Sequence, residues 1–246
     1  MSEIAALVAA ARRILFVHAH PDDETLATGG LIAALAASGA DTFVLTGSRG
    51  EQGEIVPGSV PHGSDLDAHR EAEVAAACAA LGVRGQAFLG EPPARAEGLQ
   101  PRRYTDSGMR WLDDTETVAG PGETAGPDSL TSADPTDVAE AVAAHARSIG
   151  ADAIVSYDAH GGYGHPDHVA LHAPSRAAAD ALGVPFWEVA SDPDSPGETL
   201  DTPQHLGLLQ EALGHYASQL TVDGADVVHV GGQRQPIQTR FTIRRA

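Results

Sequence analysis

His20, Asp22, Asp23 and Glu24 are packed into one short stretch, directly after the apolar run Ile14-Leu-Phe-Val17. A second cluster, His165, Asp167 and His168, closes the segment Gly161-Gly-Tyr-Gly-His-Pro-Asp-His168 and follows another apolar run, Ala153-Ile-Val-Ser-Tyr157. His20 and Asp23 lie three residues apart across a strand-to-helix turn, and His168 can reach the same point from the loop after a different strand. Two imidazoles and one carboxylate form a metal site that keeps positions open for water and substrate, as catalytic zinc requires. Zinc brings the pKa of its bound water to about 7 and so supplies a nucleophile at neutral pH. Asp22, adjacent to Asp23, is placed to take a proton from that water, and His165 to donate one to a leaving nitrogen. These are the parts needed to hydrolyse an amide.

Other readings of the same residues stand beside this one. Asp22 or Asp23 alone suits a helix N-cap. Asp167 suits either a cap or a partner that orients a neighbouring histidine. His18 shares the strand face of His20 and reads as a packed strand histidine. His172 forms a His-x-x-x-His pair with His168 but reads as surface or supporting, because His20 and Asp23 already complete the set. His62, His69, His205 and His229 read as solvent or packing residues, with His160 the exception worth watching. A two-His, one-carboxylate set also suits non-haem iron, and a sugar-binding module without catalysis is a further alternative.

The elements that must carry these groups follow from pattern. A short helix is expected over 3–12 and a strand over 13–20. A helix from Asp23 to about Ala37 stops at Ser38-Gly39, and Asp41–Thr46 is a β-branched strand. Residues 47–64 are a loop, Asp65–Leu81 a helix and Gln86–Leu89 a short strand. Residues 90–133 form a long loop, with 104–111 ordered near the site and 113–128 acidic and mobile. A helix over 134–148 has Asp134 as N-cap and Pro135 at its first position. Then come the strand Ala153–Tyr157, a helix over 166–182, a strand over 185–189, a loop over 191–202 and a helix over 203–216. Strands over 226–230 and 239–244 are antiparallel additions at an edge. The alternation predicts one α/β domain over 1–246, with a largely parallel sheet and helices on both faces.

Composition narrows the partners. The chain has 246 residues, 42% of them hydrophobic, with 34 acids against 15 bases for a net charge of −19. Such a surface repels phosphate backbones and anionic lipid, which argues against nucleic acid and membrane as partners. The single cysteine, Cys78, sits in an alanine-rich helix pattern and allows neither an internal disulfide nor a Cys-rich zinc site. No apolar run approaches the ~20 residues of a membrane helix, and Arg12 and Arg13 follow the N-terminal apolar stretch instead of preceding it, so a cytoplasmic location is expected. The sequence leaves homo-oligomerisation open.

Ala19-His-Pro-Asp-Asp-Glu24 together with Gly164-His-Pro-Asp-His168 resembles the PIG-L/LmbE-like zinc N-deacetylases, which implies a Rossmann-like α/β fold. Gly50-Glu-Gln-Gly-Glu54, Tyr104-Thr-Asp-Ser-Gly-Met109 and Tyr157 through His168 are similar to the actinobacterial branch that deacetylates the N-acetylglucosaminyl-inositol precursor of mycothiol. The resemblance implies one zinc ion per chain, with ferrous iron the alternative in the cell, held by His20, Asp23 and His168. It implies Asp22 as general base, His165 as general acid tuned by Asp167, and Tyr163 over the site, donating to the oxyanion. Arg70, Asp106, Met109 and Glu54 match positions that contact the sugar or its inositol partner, although Arg70 by itself reads as a helix-surface arginine. The implied substrate is a small N-acetyl sugar; an amidase acting on mycothiol conjugates is the alternative within the family. Two departures bear on the second half of the substrate. The chain is shorter than that branch, chiefly after Trp187, and it has Gln210 or nearby residues where the family often places a lysine.

Overall fold

In β1 (Arg13–His18), Ile14, Phe16, Leu15 and Val17 are all buried. Ile14 and Phe16 join one apolar cluster, Leu15 and Val17 another, because successive side chains point to opposite faces of a strand. A strand buried on both faces belongs inside a parallel sheet covered by helices. The computed structural model shows this arrangement and describes residues 12–115 and 117–246. The helix expected over 3–12 lies outside the described residues, apart from Arg12.

β1 leads through a turn into α1 (Asp23–Ala37), then β2 (Asp41–Thr46), α2 (Leu66–Ala80) and β3 (Gly85–Phe88). A long connection carries the short antiparallel pair β4 (Arg110–Trp111) and β5 (Ala119–Gly120) and a 3₁₀ turn over Leu130–Ser132. α3 (Pro135–Ile149), β6 (Ala153–Tyr157), α4 (Pro166–Leu182) and β7 (Phe186–Val189) complete the alternating part. β8 (Glu198–Asp201), α5 (Leu206–Gly214), β9 (Leu220–Asp223), β10 (Asp226–His229), β11 (Arg234–Pro236) and β12 (Arg240–Arg245) follow. The main sheet runs β3-β2-β1-β6-β7-β12-β8, parallel from β3 to β7, with β12 antiparallel to both β7 and β8. β9, β10 and β11 form a separate antiparallel sheet. From β1 the chain runs outward to β2 and β3, then returns to the other side of β1 with β6. The order therefore reverses between β1 and β6, and open α/β sheets bind ligands beyond the carboxyl ends of the strands at such a point.

Local chemistry explains the helix limits. Asp65 accepts from the amides of Asp67 and Ala68 at 3.0 and 3.4 Å, and Asp134 accepts from Thr136 N at 2.8 Å, so both cap as their residue types prefer. α1, α2 and α5 cover one face of the sheet, and α3 and α4 the other. Cys78 is buried among the first group, as a small packing residue. No described helix is long and apolar enough to cross a membrane.

Several expectations need correction. β1 stops at His18, which leaves His20 in the turn. The segment expected as a loop over 191–202 contains β8, whose partner is the distant β12. The helix expected over 203–216 is a 3₁₀ turn at Pro203–His205 followed by the shorter α5. β9 and β11 lack the length and alternation that would announce a strand.

Gly30 lets α1 approach β12. A Cβ built there would lie 2.3 Å from Thr202 Oγ1 and 2.5 Å from Phe241 Cζ, inside any normal contact. Gly30→Ala is expected to destabilise the protein by about 1–3 kcal/mol through overpacking, read as a lower urea midpoint at unchanged slope. His145 on α3 is buried without a charged partner, and burial lowers its pKa from 6.5 to about 4. Between those values the unfolded chain binds the proton and the folded one does not, so this group costs stability as the pH falls. His145→Gln is expected to remove up to about 1.4 kcal/mol per pH unit of that loss, measured as urea midpoints at pH 7 and pH 5.

Candidate active site

β1 ends in a turn that places three acids in sequence, and each is directed differently. Asp22 occupies the N-cap position of α1 but makes no capping bond. Its φ of 98° makes it the one non-glycine residue with a left-handed backbone among the described residues. Such a conformation persists only where the surroundings hold it, and here it leaves the carboxyl lining a cavity of about 980 Å³. Burial raises the Asp22 pKa well above the usual carboxylate range, and the negative charges of Asp23 and Glu24 add to the shift. Glu24 turns to the core, where Thr25 and Tyr216 donate to its Oε1. Burial raises it to about 7, and its role is structural.

Asp23 is the hub. Its Oδ2 accepts from the His20 amide and from the Tyr157 hydroxyl, each at 2.9 Å. The same oxygen lies 3.3 Å from His20 Nδ1 and 3.2 Å from His168 Nε2. Tyr157 is the last residue of β6; its hydroxyl also accepts from Ala19 N at 3.0 Å, and its ring stacks on His168 at 4.2 Å. Burial alone would raise the Asp23 carboxyl, but His168 and His20 hold it well below the usual range.

The outer nitrogen of each imidazole is committed elsewhere. His20 Nε2 lies 3.1 Å from Asp167 Oδ2 and 3.4 Å from Asp106 Oδ1. His168 Nδ1 lies 3.2 Å from the Gly161 carbonyl, which can only accept. With the ring protons on His20 Nε2 and His168 Nδ1, the atoms that face those acceptors, a lone pair on His20 Nδ1 and one on His168 Nε2 would point with Asp23 Oδ2 at a bound cation. His168 Nε2 is buried without any hydrogen-bond partner. Two imidazole lone pairs beside a carboxylate, each ring held from behind by an acceptor, is the arrangement that metal ligands adopt. The residues present therefore fit a divalent cation.

His165 is the N-cap of α4, where its Nδ1 accepts from Asp167 N at 3.2 Å. In the neutral ring the proton then sits on Nε2. Ligand-capable atoms of His20, His165 and His168 lie within 4.8 Å of one another, as do those of His20, Asp106 and Asp167. The cap uses the Nδ1 lone pair of His165, so a proton-donating Nε2 suits this ring better than ligation. Burial, then the nearby His20 and His168, lower its pKa to about 4. Asp167 thus acts on His165 through its amide. Its negative charge acts to raise the His165 pKa against the burial that lowers it, and its carboxylate also holds His20 and accepts from Ser107 N at 2.9 Å.

Asp22, Asp23, His165, His168, Tyr163, Glu54, Asp106 and Met109 all line the one cavity. His20 and Asp167 stand beside it through the contacts above. Tyr163 is 62% exposed, with its ring centroid 5.2 Å from that of His168. Asp106 has both oxygens engaged, accepting from Gly108 N at 2.7 Å and Gln52 N at 3.1 Å. Arg70, which by position alone reads as a helix-surface residue, is fully buried. Its Nη2 donates to the carbonyls of Gly53 and Glu54 at 3.1 and 3.2 Å, and its Nε and Nη1 have no partner. Arg70, Asp22 and Glu54 line a side pocket of about 210 Å³.

The remaining histidines separate cleanly. His18 bonds Thr28 Oγ1 at 2.9 Å and packs edge-on to Tyr157. His172 Nε2 lies 3.3 Å from Glu188, away from the cluster. His229, read from sequence as a solvent or packing residue, lines both pockets. Tyr157 was also missed, although a hydroxyl at the carboxyl end of a strand flanking the switch point is a usable signal.

The PIG-L family model, described as GlcNAc-PI de-N-acetylase, matches residues 15–184. The 1D-myo-inositol 2-acetamido-2-deoxy-alpha-D-glucopyranoside deacetylase of Kineococcus radiotolerans is 44% identical over 192 residues, covering 73% of this chain and 50% of that one. The chain thus spans about half the length of that relative. The enzyme of the same name from Actinosynnema mirum is 33% identical, over 92% of this chain and 88% of that one. Among solved structures, a zinc-inhibited form of teicoplanin deacetylase Orf2 superposes with a TM-score of 0.59 at 20% identity, over 95% of this chain and 98% of that one, which shows a shared fold. With both metal-type clusters inside the matched region and brought together at the switch point, the chain belongs to the PIG-L family.

Proposed function

We propose that this chain is a zinc-dependent N-deacetylase, and that its substrate is a small N-acetylglucosamine-containing molecule of the N-acetylglucosaminyl-inositol type. The observation that carries the reading is the convergence of His20 Nδ1 and His168 Nε2 on Asp23 Oδ2, at 3.3 and 3.2 Å, with the uncapped Asp22 carboxyl next in sequence. The names of the Kineococcus and Actinosynnema relatives support the substrate class.

His20, Asp23 and His168 would hold the ion. When bound, it would polarise the acetyl carbonyl and make a water acidic at neutral pH. Asp22 takes the proton of the attacking water; the burial that raises its pKa makes it a stronger base than an exposed carboxylate. Tyr163, at the cavity mouth, donates its hydroxyl to the oxyanion that develops on the acetyl group. His165 presents Nε2 to the leaving nitrogen. As the C–N bond breaks, His165 gives its Nε2 proton to the amine, and the proton that Asp22 has taken from the water replaces it. Acetate and a free amine are the products. A carboxylate base beside the ligand set favours hydrolysis over the oxygen chemistry that two histidines and one carboxylate also serve with iron.

Two variants test this. Asp22→Ala is expected to bind one zinc per chain and to lower kcat for acetate release from N-acetylglucosaminyl-inositol by about 10²–10⁴-fold, the usual worth of a positioned base. Full activity in that variant would remove Asp22 from the mechanism. Tyr157→Phe keeps the ring stacked on His168 but loses the donor to Asp23. It is expected to weaken zinc binding by about 10–100-fold, the usual cost of removing a group that orients a ligand, as read by competition with a chromophoric chelator.

A further inference from the structure

The Nδ1 of His168 faces one acceptor, the carbonyl of Gly161, and that carbonyl belongs to the loop between β6 and α4. Gly161, Gly162 and Gly164 have φ of 74°, 69° and 89°, in the left-handed region. Glycine reaches such angles freely, but it also has the most conformational freedom to lose, so the loop's own sequence does not hold this shape. The seating is nonetheless close. A Cβ built on Gly161 would lie 2.8 Å from Val169 N and 3.0 Å from His168 Cβ. The restraint must come from groups outside the glycine run.

Asp158 provides it. It follows Tyr157, the last residue of β6, and it is buried. Its Oδ1 accepts from the amides of His160 and Gly161, each at 3.1 Å, and from the Ser191 hydroxyl. Its Oδ2 accepts from the Ser191 amide at 2.8 Å. The Ser191 oxygen in turn accepts from the Gly162 amide at 2.7 Å. The amides of three successive loop residues are thus tied to one carboxylate, two of them directly and one through Ser191. The Gly161 carbonyl is left to accept from Gly164 N at 3.1 Å and to face His168 Nδ1 at 3.2 Å. Burial pushes the Asp158 pKa up, but the bonds from Ser191 and from the Gly161 and His160 amides outweigh it and hold the group below the usual carboxylate range. Asp158 is therefore ionised at neutral pH. Arg244 on β12 offsets the charge, with Nη2 3.7 Å from Asp158 Oδ2 and Nε donating to Glu188 at 2.7 Å. Ser191 and Arg244 both lie beyond the residues that the PIG-L model matches. Asp158 does not line the catalytic cavity, so it acts on the site only through the groups it holds.

We propose that Asp158 is a positioning residue for the metal ligand His168. Acting with Ser191, it fixes the loop that presents the Gly161 carbonyl to Nδ1, and so sets the rotation of the imidazole that turns Nε2 toward Asp23. The proposal rests on the metal reading above. A neutral amide does not replace the carboxylate: whichever way an asparagine is turned, its Nδ2 meets an N–H that the carboxylate accepts.

The test reads zinc binding and not turnover. Zinc affinity is measured by competition with a chromophoric chelator for the native protein, Asp158→Asn and Ser191→Ala, with urea unfolding to establish that each is folded. Asp158→Asn is expected to weaken zinc binding by about 10–100-fold, the usual cost of losing a group that orients a ligand. Ser191→Ala, which loses the link to Gly162, is expected to weaken it by about three- to tenfold, the worth of one neutral hydrogen bond. The second readout is the proton on His168 Nδ1 in the zinc-saturated protein, observed by NMR and assigned through the Tyr157 ring stacked on it. Its exchange with solvent is expected to be at least about tenfold faster in Asp158→Asn than in the native protein. A merely structural role would lower the urea midpoint and leave both readouts of the folded protein at native values. A native value for either readout in folded Asp158→Asn overturns the proposal. Ser191→Ala carries the test on the same terms if Asp158→Asn does not fold. A native protein that binds no zinc overturns the metal reading and this proposal with it, whereas zinc binding without acetate release from N-acetylglucosaminyl-inositol overturns only the deacetylase reading.

Discussion

One carboxylate oxygen, Asp23 Oδ2, ties the two halves of the sheet together at the site. Tyr157, at the end of β6, reaches across to it, while the same hydroxyl accepts the Ala19 amide at the end of β1. His20 comes from the β1 turn and His168 from the first turn of α4, and both present a nitrogen to that oxygen. A buried carboxylate is costly unless bonded and balanced. Here the balance comes from groups on two parallel strands that are neighbours in space and far apart in sequence, so the site exists only when β1 and β6 are paired.

That pairing also sets the acid–base character of the neighbouring groups. Asp22 is forced into a left-handed backbone conformation because Asp23 must turn inward while α1 begins, and the capping role that an aspartate would usually take there is forgone. His165 takes the capping role at α4 instead, with the ring nitrogen that faces its own helix. One turn thus frees a carboxyl for the cavity, and the other fixes which nitrogen of an imidazole carries the proton. The packing behind them is close. Gly30 and its neighbour Gly29 leave no space for a Cβ against β12 and α5, so the helix that carries Asp23 is seated firmly against the sheet edge.

The family match covers residues 15–184, and the small sheet of β9, β10 and β11 lies beyond it. The division has a physical basis. The metal-type cluster needs a fixed set of donors at the switch point, whereas the last sheet pairs only with itself and leaves those donors undisturbed. His229 and Gln235 lie in short strands and Gln233 in the turn between them, so they can vary without disturbing the strands that hold the cluster.

Much of this protein was legible in its residues alone. β2, β6 and α4 fall where pattern places them, because β-branched runs buried on two faces and a His-Pro-Asp helix start have few other solutions. Both chemical clusters, and their position at strand ends, were legible for the same reason. Tertiary structure decided the partners. That the Asp167 carboxylate reaches His20, that Asp106 turns to His20 and to backbone amides, and that Arg70 is buried under the Gly53–Glu54 loop all depend on loops distant in sequence meeting at one point. β8, β9 and β11 were hidden because strands of three or four residues draw their stability from the neighbour they pair with, and β8 has its partner, β12, some forty residues further along the chain.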